Sequence, residues 1–206
     1  MSVTHSLMAA FAEARTQYPQ IEKVWLGASY SWGCRMPNSL LMMSVHDAGR
    51  LDVVIRSMED EFDVDDPNQH VALSLLTMLS SQWISTCYEV LRVLRERNLD
   101  PSAELPGLEH DFRLVCVTLQ WHEIALDKKL SGPVDMTRVG PGDPSSYTYD
   151  PKDSQRGHIM PTGLSARHSV TWHVTDGRSL ESRWVERLAL SDRFLSLVTG
   201  RPIGQF

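Results

Sequence analysis

Apolar positions recur at alternating intervals of three and four through residues 69–130. That spacing predicts two long helices around which the chain is organised. The first sets Ala72, Leu76, Leu79, Trp83, Cys87, Val90 and Leu94 on one face; the second sets Leu108, Phe112, Val115, Leu119 and His122 on one face. Between them, Asn98-Leu99-Asp100-Pro101-Ser102 and Pro106-Gly107 stop a helix and favour a turn. So short a break predicts an antiparallel pair. With the reversal near residue 102, Cys116 falls level with residue 88 and His122 with residue 82. Trp83 is then expected against His122, and Glu89 beside Cys116.

Shorter helices are expected on either side. Residues 4–18 place Leu7, Phe11, Ala14 and Tyr18 together, and Pro19 closes that helix. Residues 20–36 read as helix or strand, with Trp25, Tyr30 and Trp32 as core or interface aromatics. From a cap at Asn38 or Ser39, Leu41, Val45, Ala48, Leu51, Ile55, Met58 and Phe62 form a stripe that favours a helix over a hairpin broken at Asp47-Ala48-Gly49. Gly49 costs that helix about 1 kcal/mol relative to Ala. The acids Glu59, Asp60, Glu61, Asp63, Asp65 and Asp66 oppose its dipole at the C-terminus, so it is expected to fray there.

Periodicity disappears over 131–163, which holds Pro133, Pro141, Pro144, Pro151 and Pro161 and reads as a long loop. Alternation then returns. Val170, Trp172 and Val174 share one strand face, and Leu180, Trp184 and Leu188 share another. A tight Asp176-Gly177 turn would set those apolar residues against Arg183, Glu181 and Ser179. The expected register instead uses a loop over 175–179, with Val174 opposite Leu180 and Val170 opposite Trp184. Ser191 is expected to cap a last helix that ends at Gly200 and Pro202. The predicted class is mainly α (α+β): an antiparallel helical bundle with a small C-terminal β-hairpin and a terminal helix. It is read as one domain over 1–206, with a helical core at 1–130, the loop at 131–163, and hairpin plus helix at 164–206.

The net charge of −6 argues against general binding of nucleic acid or anionic membrane. Apolar runs such as Leu40 to Met43 are too short to cross a bilayer, and no Lys or Arg precedes the apolar patch at Leu7 to Phe11, which argues against a secretory signal. Three cysteines without C-x-x-C spacing fit a reducing, cytoplasmic setting. Six Trp and nine Met suit either a core or an interface.

Common catalytic signatures fail. Gly27-Ala28-Ser29-Tyr30-Ser31 lacks the second Gly of a nucleophile elbow, and His122-Glu123 is followed by Leu126 where a zinc protease carries its second His. Gly140-Pro141-Gly142 has Ser145 where a dinucleotide fingerprint needs its third Gly. His168 and His173 point to opposite strand faces, so with His158 they do not form a metal site. No cofactor and no metal is expected. His122 stands at a position the stripe reserves for apolar groups. It reads either as a hydrogen-bonded core histidine or as a general acid or base.

The stretch Cys116-Val117-Thr118-Leu119-Gln120-Trp121-His122, on one of two long antiparallel helices, resembles the Arg-to-His motif of HEPN helical bundles. Cys116 stands where that family carries its catalytic Arg, and Arg113 lies one helical turn before it. The resemblance implies a homodimer and, as the alternative function, a ribonuclease or degenerate RNA-binding module of a defence or toxin system, with His122, Glu89 and Arg113 as catalytic candidates. The leading expectation is a helical interaction protein without a catalytic signature. It would self-associate or bind a protein partner and have no membrane association, with RNA a partner only in the alternative. A small-molecule binder under the 131–163 loop is the third reading.

Overall fold

A computed structural model describes residues 2–138 and 145–200 of the chain. The expectations at Gly140-Pro141-Gly142 and Pro202 lie outside them. The elements are α1 (Val3–Gln17), α2 (Pro19–Gly33), α3 (Leu41–Glu61), α4 (Gln69–Glu96) and α5 (Leu105–Trp121), a 3₁₀ turn (Asp127–Lys129), β1 (Val134–Arg138), β2 (Ser145–Tyr149), β3 (Thr162–Leu164), β4 (Val170–Thr175), β5 (Ser182–Glu186) and α6 (Arg187–Thr199). The class is mainly α with a smaller β part, as the periodicity predicts.

Helices α2 to α5 pack in sequence order, each against the next. The predicted stripes face the core: Leu76, Trp83, Cys87, Val90 and Leu94 of α4 and Leu108, Phe112 and Val115 of α5 are sealed from solvent. Arg95 donates to Glu109 at 2.5 Å and Gln120 to Ser85 at 3.0 Å, so α4 and α5 run antiparallel with the expected offset. The ambiguous residues 20–36 are helical. Pro19 opens α2 rather than merely ending α1, because its fixed φ suits a first helical turn. Trp25 and Trp32 of α2 are buried, whereas Tyr30 is exposed. Gly49 has a packing reason: a Cβ there would lie 2.5 Å from Trp25 Cβ, so only glycine lets α2 approach α3. The acids end α3 at Glu61, and Phe62 is extended.

The 131–163 stretch is not a structureless loop. β1 and β2 pair antiparallel from Val134↔Tyr149 to Arg138↔Ser145, and β3 pairs with β4. In the second sheet β4 is central, in the order β3-β4-β5. Val170, Trp172 and Val174 are buried as expected. The tight turn is absent, but the expected register is also incorrect: Trp172 pairs with Val185, Val174 with Arg183 and Thr175 with Ser182. The connection is held by docking. Gly177 N–H donates to the Ala125 carbonyl at 3.0 Å, and Asp176 bonds His110 Nε2 at 2.8 Å. Arg183 is tolerated opposite Val174 because Asp111 of α5 pairs with it and with Arg193. Trp184 consequently faces outward beside His173. Helix α6 starts directly from β5 at Arg187, so Leu188 is helical and Ser191 is an interior residue, not a cap. Gly200 closes α6 at φ +64°, donating to the Ser196 carbonyl, as a C-terminal glycine should.

Candidate functional site

Helix α5 stops at Trp121 because His122 adopts a left-handed backbone, φ +56°. His122 is therefore not a core residue packed on Trp83. It is exposed at the helix end, while Trp83 packs against Phe112 with ring centroids 5.4 Å apart. Glu89 is exposed and bound to Arg92. It does lie in the neighbourhood of Cys116, as expected: burial pushes the Cys116 thiol up to about 11, Ser85 opposes the rise and the Glu89 charge adds to it. Arg113 is partly buried, and its Nε has no partner among the described residues. The three sequence candidates do not converge. His122 lines one cavity, Glu89 lines another with Ser39, Leu40 and Val93, and Arg113 lines neither.

The cavity at His122 measures about 480 Å³ and lies between the end of α5 and residues 157–162. Its walls include Thr118, Leu119, His158, Ile159 and Met160. The His158 backbone N–H donates to the His122 carbonyl at 2.7 Å, which pins the segment across the helix end. His158 itself is buried. Its Nδ1 shares a 2.6 Å hydrogen bond with the Tyr147 hydroxyl of β2, and its Nε2 has no partner among the described residues. Burial, then the nearby His173, holds the His158 imidazole below its ordinary pKa and hence neutral. Tyr149, from the same face of β2, donates to Asp127 Oδ2 at 3.0 Å and accepts from Ile124 N–H at 3.2 Å. Arg156 completes this anchor by donating to Asp127 and Glu123. Two tyrosines thus fasten the β1–β2 hairpin to the body beside the cavity.

Sequence reasoning missed a second polar centre. Asp52, Arg56 and Glu59 of α3 meet Arg187, Ser191 and Asp192 of α6. Arg187 is fully buried and donates to Asp52 Oδ1 at 2.7 Å and to both Glu59 oxygens at 2.8 and 2.5 Å. Asp52 also accepts from Ser191 Oγ at 2.7 Å, Trp25 Nε1 at 2.9 Å and Arg56 Nε at 3.1 Å, so both oxygens are saturated. The Arg187 guanidinium lies 5.4 Å from the Trp83 ring centroid. Burial acts to raise the Asp52 carboxyl, but the Arg56 and Arg187 charges, with the Ser191 and Trp25 bonds, outweigh it and hold it below the usual carboxylate range. The available signal was the 4-3 spacing of Asp52, Arg56 and Glu59, a helical face of alternating charge. It reads as a polar core that fixes α6 on α3.

One end of the bundle is apolar at its surface. Ala12 and Glu13 lie level with Glu61, so the earlier turns of α1 run past the end of α3. α4 begins at Gln69, shortly after α3 ends at Glu61. Val3, Leu7 and Met8 of α1 and Val71, Leu75 and Met78 of α4 are exposed, Met78 by 58%. No Asp, Glu, Lys or Arg occurs from Met1 through Ala12 or from Pro67 through Tyr88.

Among the described residues no group of His, Cys, Asp or Glu is arranged to hold a metal ion, and no helix is long and apolar enough to cross a membrane. The chain matches no family model, no curated protein and no solved structure.

Proposed function

We propose that this protein is a self-associating helical interaction module that works in the cytoplasm and joins a second copy through the exposed apolar residues of α1 and α4. The observation that carries this reading is an exposed helical surface with no formal charge in a chain that is 22% charged overall. Interface centres are depleted of charge and enriched in Met and large apolar groups. Val71, Leu75 and Met78 repeat at 4-3 spacing, which suits packing against another helix. Scattered exposed apolar residues need no explanation, but runs of them along two charge-free helical stretches call for a covering partner. Three free thiols support a reducing compartment.

Light scattering coupled to gel filtration tests the proposal at micromolar concentration. The parent should run at twice its 23.3 kDa chain mass. Leu75→Asp with Met78→Lys, both at exposed positions, should run at the chain mass with unchanged circular dichroism. A monomeric parent would refute the reading. The nuclease alternative now rests on His122, which is accessible to substrate as a catalytic imidazole must be. An RNA-cleavage assay on the parent beside His122→Ala decides it, since activity that survives the substitution excludes His122 as its base.

A further inference from the structure

The cavity at the end of α5 is separate from the exposed apolar residues of α1 and α4 and has a chemistry of its own. The left-handed turn at His122 leads the chain away from α5, and the His158-to-His122 backbone bond brings residues 157–162 back across the gap. A pocket of about 480 Å³ remains, in the range that small organic ligands occupy. Among the described residues no formally charged side chain lines it. Leu119, Ile159 and Met160 give it apolar walls. Ile159 is 62% exposed. The His122 ring makes no hydrogen bond to any described residue, while the other imidazole, His158, is fixed in the wall by Tyr147 and kept neutral by burial.

These features select a ligand class. A charged ligand would meet no counter-charge and lose its hydration. Leu119 and Ile159 offer apolar surface to a flat ring, and Met160 offers a polarisable sulfur. One hydroxyl satisfies the free imidazole of His122. We infer that this cavity binds an uncharged aromatic alcohol of one or two rings, held by Leu119, Ile159 and Met160, with its hydroxyl on His122.

The probe is 2-naphthol, titrated into the full chain and followed by calorimetry and by imidazole nitrogen shifts of His122. Saturable binding is expected, with the His122 ring resonances moving along the same isotherm. Naphthalene, which lacks the hydroxyl, should bind about fivefold more weakly, the effect of one lost hydrogen bond. The anion 2-naphthoate should bind more weakly still. Ile159→Asp, at an exposed position, should weaken 2-naphthol by about tenfold or more. His122→Asn, which keeps a residue tolerant of the left-handed backbone, should narrow the naphthol–naphthalene difference. Leu75→Asp with Met78→Lys should leave binding intact, so failure of the self-association reading and failure of this one are separable. An unsaturable titration would overturn the inference. So would 2-naphthoate binding as tightly as 2-naphthol, or saturable binding that Ile159→Asp and His122→Asn leave unchanged.

Discussion

Replacing Arg187 with Met removes a guanidinium that solvent does not reach and strands the carboxylate of Glu59, whose side-chain partner it is. Asp52 fares better, since Arg56, Ser191 and Trp25 still bond it. Breaking a buried pair from one side costs about 3–5 kcal/mol, because an uncompensated charge is left in a poorly polarisable interior. For a chain of this length that corresponds to a fall in Tm of about 6–20 °C. Glu59→Leu combined with Arg187→Met removes the stranded charge too and should recover most of the loss, a coupling of about 1 kcal/mol or more. Asp52 contributes no pH dependence between neutral pH and about pH 4.5. Its folded carboxyl is held low, so its stabilisation is complete above the unfolded value of about 4 and is lost as pH falls through the lower folded value. Acid does neutralise an unpaired buried carboxylate. The deficit of Arg187→Met should therefore be largest at neutral pH and narrow toward about pH 4.5. Urea unfolding followed by circular dichroism at both pH values measures this. A deficit under about 1 kcal/mol, the scale of a surface pair, or one that is unchanged by pH, would refute the reasoning.

Gly49→Ala should destabilise by about 1–3 kcal/mol although Ala is the better helix former, because the added methyl meets Trp25 Cβ at 2.5 Å; a stability gain in urea melts would contradict the packing argument. His158→Gln should flatten the pH dependence of stability. A buried histidine with a depressed folded pKa gives full stability above the unfolded value of about 6.5 and loses it as pH falls below, so parent and variant melts should converge toward pH 5.5 only if His158 carries that loss.

The helices were legible where their buried faces are apolar. The stripes of α4 and α5 appear in the sequence because each must bury one face along its length, and the Val170, Trp172 and Val174 alternation is equally plain in β4. Helix α2 was not legible, because its buried face mixes Trp25 and Trp32 with Ala28, Ser29 and Gly33, small groups that carry no hydrophobic signal. The β1–β2 hairpin escaped because Ser145-Ser146-Tyr147-Thr148-Tyr149 is mostly polar and is held by two tyrosine hydroxyls rather than by an apolar face.

At the sites the division is sharper. His122 sits one residue past the end of the stripe's helix, and the backbone conformation that turns it outward belongs to a contact with residue 158. The Asp52–Arg187 centre joins groups 135 residues apart, so the spacing of Asp52, Arg56 and Glu59 on α3 carries no sign of the Arg187 that buries them. The same holds for the hairpin register, which docking of Gly177 on Ala125 decides against a local rule about buried charge. By itself the sequence determined what is periodic: which helix and strand faces are buried, where glycine and proline end them, and hence the mainly α class. The tertiary structure alone decided the cavity at His122, the buried ion cluster and the strand pairing, because each depends on charges, backbone bonds and shapes brought together from distant positions, and local spacing carries no record of them.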